Sequence, residues 1–320
     1  MSEINIFGID VDSVWLVVAR YGHAGTDQIA NQATAIRAWL AELPANSRIG
    51  LESTSRYHEP VVTLAQAAGH RVFVLNPRDV RYYAKGVGCR GKTDRVDAHV
   101  IARYVAKEGD HLHAHVPRTH AQQQMHVLQQ QRAAVTRSQT LLQQALRAHG
   151  GVNDTFQPML EAIRKTLRAL DRQIQTLSRQ GPQAAVYRRL LTIPGVGPVI
   201  AACLAHHLTR WPLARADAWV AYTGLDPRAN DSGRKTGVRR LSKRGEPTLR
   251  QMLYMAAMTF ARHPLGKSLN QALRQRGLSS TATYNILARK LARIAWGLHK
   301  SEQNFDPVRF AADHRIAGTA

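Results

Sequence analysis

The chain has 320 residues, 44 Lys and Arg against 22 Asp and Glu, and a formal net charge of +22. That length predicts two or three domains with cores of their own, and a charge far beyond what solubility needs predicts a polyanionic partner. Only Cys89 and Cys203 are present, which excludes a disulfide framework or a CxxC zinc knuckle and suits a reducing cytoplasm.

Residues 4–10 (INIFGID) and 14–19 (VWLVVA) are short β-branched runs separated by a polar turn, and a third strand is expected near 28–31. Residues 33–43 have helical periodicity, 48–51 read as a strand, 57–68 as a helix, 71–75 (RVFVL) as a strand and 96–106 as a helix. The order β-β-β-α-β-α-β-α predicts a mixed sheet with an antiparallel edge and parallel crossovers.

From about Pro117 long helices rich in Gln and Arg follow. In one, Phe156, Leu160, Ile163, Leu167, Leu170, Ile174 and Leu177 keep a 4-3-4-3 spacing; in the other, over 121–148, Met125, Leu128, Val135, Leu142 and Leu146 form a thinner stripe. Gly150 and Gly151 mark a turn between them. The pair is either a dimerising helical arm or a plain helix pair packed on its own domain. The longest mostly apolar stretch, 190–205, is broken by Pro194, Gly195, Gly197 and Pro198, too short to span a bilayer; no leader is expected at the N-terminus either. It has the pattern of a helix-hairpin-helix, in which Gly195 and Gly197 would let backbone N–H groups face phosphate; a simple helix corner is the alternative. Helices near 247–261 and 281–299 and an irregular tail complete the chain.

The basic excess is uneven: 1–106 carries 12 basic and 10 acidic residues, and 107–320 the remaining 32 and 12. It peaks in 228–250 (RANDSGRKTGVRRLSKRGEPTLR), eight of whose residues are Lys or Arg. With Gly233, Gly237 and Gly245 it reads as an irregular phosphate-binding loop. Ser242 lies inside it, either as one more polar residue or as a nucleophile with Arg234, Lys235, Arg239, Arg240, Lys243 and Arg244 around it to hold phosphate. Pro247 is a natural first helical residue, so Glu246, not Ser242, is the expected helix cap.

The near-neutral front part holds the other chemistry. Asp10 ends the first strand and Glu52 the strand after the first helix, positions that lie side by side in parallel neighbours. Asp94 and Asp97, three apart at a helix start, share a face. Four converging carboxylates need cations, and two Mg²⁺ ions would neutralise them and promote phosphodiester cleavage. Each residue also has a structural reading: Asp94 as a helix cap, Asp97 as a partner of the helix dipole, Asp10 and Asp12 as turn residues. His111, His113 and His115 read as a solvated linker. Tyr82, Tyr83 and Lys85 beside Arg78 and Arg81 are either a nucleic-acid stack or a mixed surface helix.

The segments Gly8-Ile9-Asp10, 51–57 (LESTSRY), 92–98 (KTDRVDA), 193–197 (IPGVG), 221–227 (AYTGLDP) and 241–245 (LSKRG) stand in the order and spacing of one family. The chain resembles a DEDD transposase of the insertion-sequence 110 family, related to the Piv DNA invertases. The resemblance implies an α/β plus α fold: a RuvC-like, RNase H-type mixed-sheet domain (1–112), a helical coiled-coil arm (113–182) and a mainly helical transposase domain with helix-hairpin-helix and serine loop (183–320).

It further implies that Asp10, Glu52, Asp94 and Asp97 hold Mg²⁺ and that Ser242 is the nucleophile. The implied activity is a recombinase that excises and inserts its element through a phosphoserine link. The resemblance also implies a structured non-coding guide RNA from the element that pairs with donor and target DNA. Active sites are expected to be composed between subunits of a dimer or tetramer, in the bacterial cytoplasm at the nucleoid and without membrane attachment. Asp12 is a departure from the family pattern and a competing ligand. A Holliday-junction-resolvase-like nuclease using water, and a non-enzymatic architectural protein, are the other functions this composition admits.

Overall fold

A computed structural model describes residues 5–53, 57–89, 91, 93–149, 154–211, 213–229, 231–232, 237 and 239–316. It divides into two compact units, Met1–Arg118 and Thr119–Ala320.

The first unit is a five-stranded mixed sheet in the order β3-β2-β1-β4-β5. Strands β1 (Ile6–Val11), β2 (Trp15–Arg20) and β3 (Thr26–Ala30) form an antiparallel meander, and β4 (Arg48–Glu52) and β5 (Arg71–Leu75) extend β1 in parallel. The helices are α1 (Ala33–Glu42), α2 (Glu59–Ala67), α3 (Pro77–Gly86) and α4 (Asp94–Glu108). The two-residue period of the strands sorts the core onto two faces. Phe7, Ile9, Val11, Ile49, Leu51 and Val72 pack with Ile36, Trp39 and Leu40 of α1 and Val61, Val62 and Ala65 of α2. Ile6, Phe73 and Leu75 pack with Val80 of α3 and Val100, Ile101 and Val105 of α4.

On the α4 face the centre of the sheet is glycine. Gly8 pairs with Gly50 across β1 and β4, and a Cβ on Gly8 would lie 2.8 Å from Ala102 Cα and closer still to Ala98 O and Ala102 N. One on Gly50 would run into the Val105 and Ile101 side chains. Two bare backbones facing a helix with alanines at 98 and 102 let α4 lie directly on the strands. The helix runs against their direction, because Gly109 at its C-terminal end lies beside the Arg48 guanidinium at the start of β4.

The second unit is helical apart from a two-residue ladder: α5 (His120–Ala148), α6 (Gln157–Gln180), α7 (Ala184–Leu190), α8 (Pro198–Arg210), α9 (Ala216–Thr223), β6 (Pro227–Arg228), β7 (Arg240–Leu241), α10 (Pro247–Phe260), α11 (Pro264–Gln275), α12 (Ser280–Ser301) and α13 (Pro307–Ile316). Every residue of the 4-3-4-3 stripe on α6 is buried or half-buried, as are those of the α5 stripe, and Arg132 Nε donates to Asp171 Oδ1 across the pair at 2.5 Å. Met125 and Ile174 join the main core, which is built on α8, Trp219, α10 and α12.

Three helices exceed the sequence reading. The tail is not irregular: Asp306 Oδ1 accepts from Val308 N (2.8 Å) and Arg309 N (3.2 Å), Pro307 opens α13, and Phe310 packs edge-on to Phe260. Helix α11 likewise begins on Pro264, capped by His263. Helix α9 has no side-chain cap, and burial of Trp219, Val220 and Thr223 sustains it. The basic loop is not wholly irregular either, since Pro227 pairs with Leu241 and Arg228 with Arg240 at its base. The Gly150-Gly151 turn lies outside the described residues.

Candidate functional site

In the first unit, Asp10 and Glu52 follow Ile9 and Leu51, which pair in parallel register, so they are the next two positions along neighbouring strands. Both are half-buried. By strand alternation they share the face of Gly8 and Gly50, the one covered by α4. Because α4 runs against the strands, its first turn, with Asp94 and Asp97, stands at the same end of the sheet. The cap of α4 is Thr93, whose hydroxyl accepts from Val96 N (3.3 Å); Asp94 is the first helical residue and exposed, so its reading as the cap is corrected.

Asp10 lies within β1 and not in a turn, whereas Asp12 is a turn residue: its Oδ1 accepts from Val14 N (3.0 Å) and the Ser13 hydroxyl (3.1 Å). Those hydrogen bonds, the one from Val14 foremost, hold its carboxyl below the usual carboxylate value. The donor set of Asp10, Glu52, Asp94 and Asp97 is all oxygen and suits a hard cation such as Mg²⁺. Among the described residues no three His, Cys, Asp or Glu side chains are close enough to hold a metal ion. The structure therefore brings the four to one end of one sheet face without closing them around a point. Thr54, Ser55, Arg56 and Lys92 of the associated motifs lie outside the described residues.

In the second unit Ser242 follows β7 and faces Asp226, the residue before β6. Its N–H donates to Asp226 O (2.9 Å), and Lys243 N donates to Gly224 O (3.2 Å). Gly224 ends α9 in the left-handed region at φ 70°, and Lys243 shares that region at φ 54°. Gly245 is pressed so closely on this helix end that a Cβ there would lie 2.6 Å from both Gly224 N and Thr223 C, and closer to Tyr222 O. Arg250 ties the two together, its Nη1 donating to Thr223 O (3.4 Å) and Gly245 O (3.3 Å). Glu246 caps α10 through Thr248 N (3.3 Å), as its place before Pro247 predicts. The serine turn is thus strapped between the end of α9 and the start of α10.

Within that strap Ser242 is 3% exposed. Its hydroxyl donates to Asp226 Oδ1 and accepts from Arg244 N at 3.4 Å. Sequence reasoning passed over Asp226 as a partner, because the two are sixteen residues apart and joined only by a two-residue ladder that no periodicity announces. Arg240, Lys243 and Arg244 are exposed around the turn. Arg239 is held by Asp231 at 2.7 Å, with Asp231 also accepting from Gly237 N (3.2 Å). Arg234 and Lys235 lie outside the described residues.

The floor under the turn is aromatic. Tyr222 stacks on Trp219, accepts from Trp211 Nε1 (3.0 Å) and lies 2.8 Å from His207 Nδ1, pinning α9 to α8. Burial pushes its hydroxyl up to about 12. The Cys203 thiol is likewise pushed up to about 12, by burial first and the Glu246 charge second, so it is an inert core residue.

The 193–197 segment joins α7 to α8, with Ile193 and Val196 buried. Its glycines have different surroundings: Gly195, at φ 86°, would carry a Cβ into Ala256 O and Phe260 N of α10 (both 2.7 Å), whereas Gly197, at the cap of α8, faces open space. Gly195 is therefore required by packing. Elsewhere, His115 is docked, its N–H donating to Val72 O (2.7 Å). Tyr83 stacks on Tyr104 in the α3–α4 core while Tyr82 is exposed beneath the Arg78 guanidinium.

Two family models match the chain, one described as "Transposase", of the DEDD IS110 kind, over residues 8–149, and one as "Transposase IS116/IS110/IS902 family" over residues 187–273. The chain is similar to the pilin gene-inverting protein of Moraxella lacunata, 29% identical over 271 residues that cover 80% of this chain and 81% of that protein. It is 28% identical over 284 residues to the transposase for insertion sequence element IS1328 of Yersinia enterocolitica, covering 78% and 82%. A probable family 20 transposase of Pseudomonas aeruginosa aligns over 311 residues at 27% identity, 85% of this chain and 89% of that one. The carboxylate-bearing sheet lies in the first matched region and the serine turn in the second, and the chain belongs to the IS110 family of transposases.

Proposed function

We propose that this transposase recombines DNA with Ser242 as its nucleophile, cutting a donor or target strand and holding the cut end as a phosphoserine until it is rejoined. The observation that carries this reading is the serine turn itself. A hydroxyl with its hydrogen fixed on a carboxylate, inside a strapped turn fringed by exposed Arg240, Lys243 and Arg244, is prepared for a phosphate.

Asp10, Glu52, Asp94 and Asp97 are the residues that would hold Mg²⁺, drawn together when substrate and ions are present. Bound there, Mg²⁺ would stabilise charge on the phosphate and the departing oxygen. The sheet supplies the placement, with Asp10 and Glu52 set by β1–β4 register and Asp94 and Asp97 by the glycine-floored seat of α4. The first unit takes the role of a RuvC-like, RNase H-type domain, the α5–α6 pair that of a coiled-coil arm, and the 193–197 corner that of a helix-hairpin-helix with Gly197 as its open glycine. Sequence choice is delegated to a guide RNA from the element, and the carboxylates of one subunit serve the serine of another in a dimer or tetramer.

Trapping on a junction substrate with the element's RNA and Mg²⁺ should give a denaturation-resistant protein–DNA adduct. Ser242→Ala and Asp94→Asn should each abolish it. An adduct that persists in Ser242→Ala refutes the nucleophile; full activity of Asp94→Asn refutes the carboxylate site. Sequencing the nucleic acid that copurifies should return one discrete RNA with loops matching two DNA sites.

The deep burial of Ser242 favours one second reading, a junction nuclease in which water attacks and the serine only shapes the turn. Free hydrolysed ends without any covalent species would establish it.

A further inference from the structure

We infer that Asp226 is the general base of the serine step, a role that rests on the reading of Ser242 as nucleophile. Three observations converge on it. The Ser242 hydroxyl has one hydrogen, and it is spent on Asp226 Oδ1. The backbone joins the same two residues, Ser242 N donating to Asp226 O at 2.9 Å, so the side-chain pair is held by the ladder behind it and not by chance rotamers. The remaining contact on the hydroxyl oxygen comes from Arg244 N at 3.4 Å, a donor, so the oxygen lies between a proton acceptor and a group that tolerates negative charge.

Among the described residues near the turn, no other group is placed to take the proton. The exposed neighbours Arg240, Lys243 and Arg244 are cations, Glu246 is occupied in capping α10, and Asp231 is paired with Arg239. A serine hydroxyl is a weak nucleophile unless a base relieves it of its proton as it attacks. In the step, Ser242 Oγ forms a bond to phosphorus and its proton passes to Asp226 Oδ1. The bond from phosphorus to the departing sugar oxygen breaks, and the proton returns through water to that oxygen, which leaves as a hydroxyl. Rejoining runs the same transfers in reverse, with the sugar hydroxyl attacking and Ser242 recovering its hydrogen from Asp226.

The test is Asp226→Asn in the full-length protein with its RNA and junction DNA, read as the single-turnover rate of adduct formation beside thermal melting and DNA binding. Asparagine keeps an oxygen that accepts the serine hydrogen bond but cannot take a proton. The expected result is a rate loss of about 100-fold or more, the scale of general-base catalysis, with melting and DNA binding unchanged. Asp226→Glu, which keeps a carboxylate one methylene further out, should recover part of the loss. An Asp226→Asn rate equal to wild type overturns the assignment, as does a rate loss that tracks a loss of melting temperature, since that makes Asp226 a structural strut. Absence of an adduct in the wild-type protein is a separate outcome: it overturns the serine reading and this inference with it.

Discussion

Replacing Gly245 with alanine tests whether the serine turn is held by close contact with α9. An added methyl would lie 2.6 Å from Gly224 N and Thr223 C, where ordinary contact begins at 3.4 Å. The turn or the helix end must therefore retreat by at least roughly 0.8 Å from these two atoms, and further from Tyr222 O, which lies closer still, against backbone atoms that have no rotamer to yield. Overpacking of this kind costs about 2 kcal/mol, which in a unit of this size lowers the melting temperature by roughly 4–8 °C. A displacement near 1 Å of a reacting group costs on the order of 100-fold in rate, so the adduct assay should fall further than stability alone explains. Gly297→Ala is the control, since a Cβ there meets nothing within 4 Å and alanine suits the interior of α12. It should leave activity intact and melting unchanged or slightly raised. Normal melting and a normal rate in Gly245→Ala would show that the turn is not seated on α9 and would remove the structural basis for a preformed Ser242.

The same logic applies to Gly8 in the first unit. Gly8→Ala places a methyl 2.8 Å from Ala102 Cα and closer to two other backbone atoms of α4, so it should lift α4 off the sheet at a cost of about 2–3 kcal/mol. Hydrogen exchange should report that loss in β1 and α4, and, with Asp94 and Asp97 holding Mg²⁺ as proposed, cleavage should fail with it. For Tyr222, burial raises the phenol from 10.0 to about 12, so its neutral form contributes fully below pH 10 and that contribution is lost as pH rises through about 12. Tyr222→Phe should be less stable near neutrality by about 1 kcal/mol, for the hydrogen bond lost from Trp211. Its stability should nevertheless decline less steeply between pH 10 and 12 in alkaline melts.

The sheet was legible because its signals are local. Alternation in 4–10 and 71–75, the turn residues between the first strands and the parallel crossovers forced by intervening helices were enough to bring Asp10 beside Glu52. The seat of α4 was only half legible: Asp94 and Asp97 share a face by spacing, but the antiparallel run that carries them to the same sheet end depends on the Gly8–Gly50 floor, a tertiary fit between glycines 42 residues apart. Helix α9 was missed because it has no capping side chain and is sustained by burial, which propensity cannot see. Helices α11 and α13 did carry legible starts, His263-Pro264 and Asp306-Pro307, obscured by the polar residues that follow. Gly195 and Gly197 look equivalent in sequence, and only the approach of α10 distinguishes them.

The pairing of Asp226 with Ser242 changes what the basic loop is for. Read as charge alone, 228–250 is a flexible phosphate grip whose serine shares its freedom. In the structure the start of that segment is paired with Arg240 and Leu241, through β6 and β7, just before Ser242, and the residues after it are fixed to two helix ends. The serine therefore belongs to the rigid base of the loop and the charge to its surroundings. A mobile nucleophile would have to be ordered by DNA at a cost in entropy with each event. Here the hydroxyl is oriented and covered, so, if Ser242 is the nucleophile proposed, the substrate-dependent change left for the serine side is to expose a group already positioned. On the proposed reading the carboxylate side is the reverse case: its four residues share one end of one sheet face without forming a metal-ready group among the described residues, and need cations to draw together. On that reading preorganisation lies with the serine and assembly with the carboxylates, and control of cleavage would fall to the first unit.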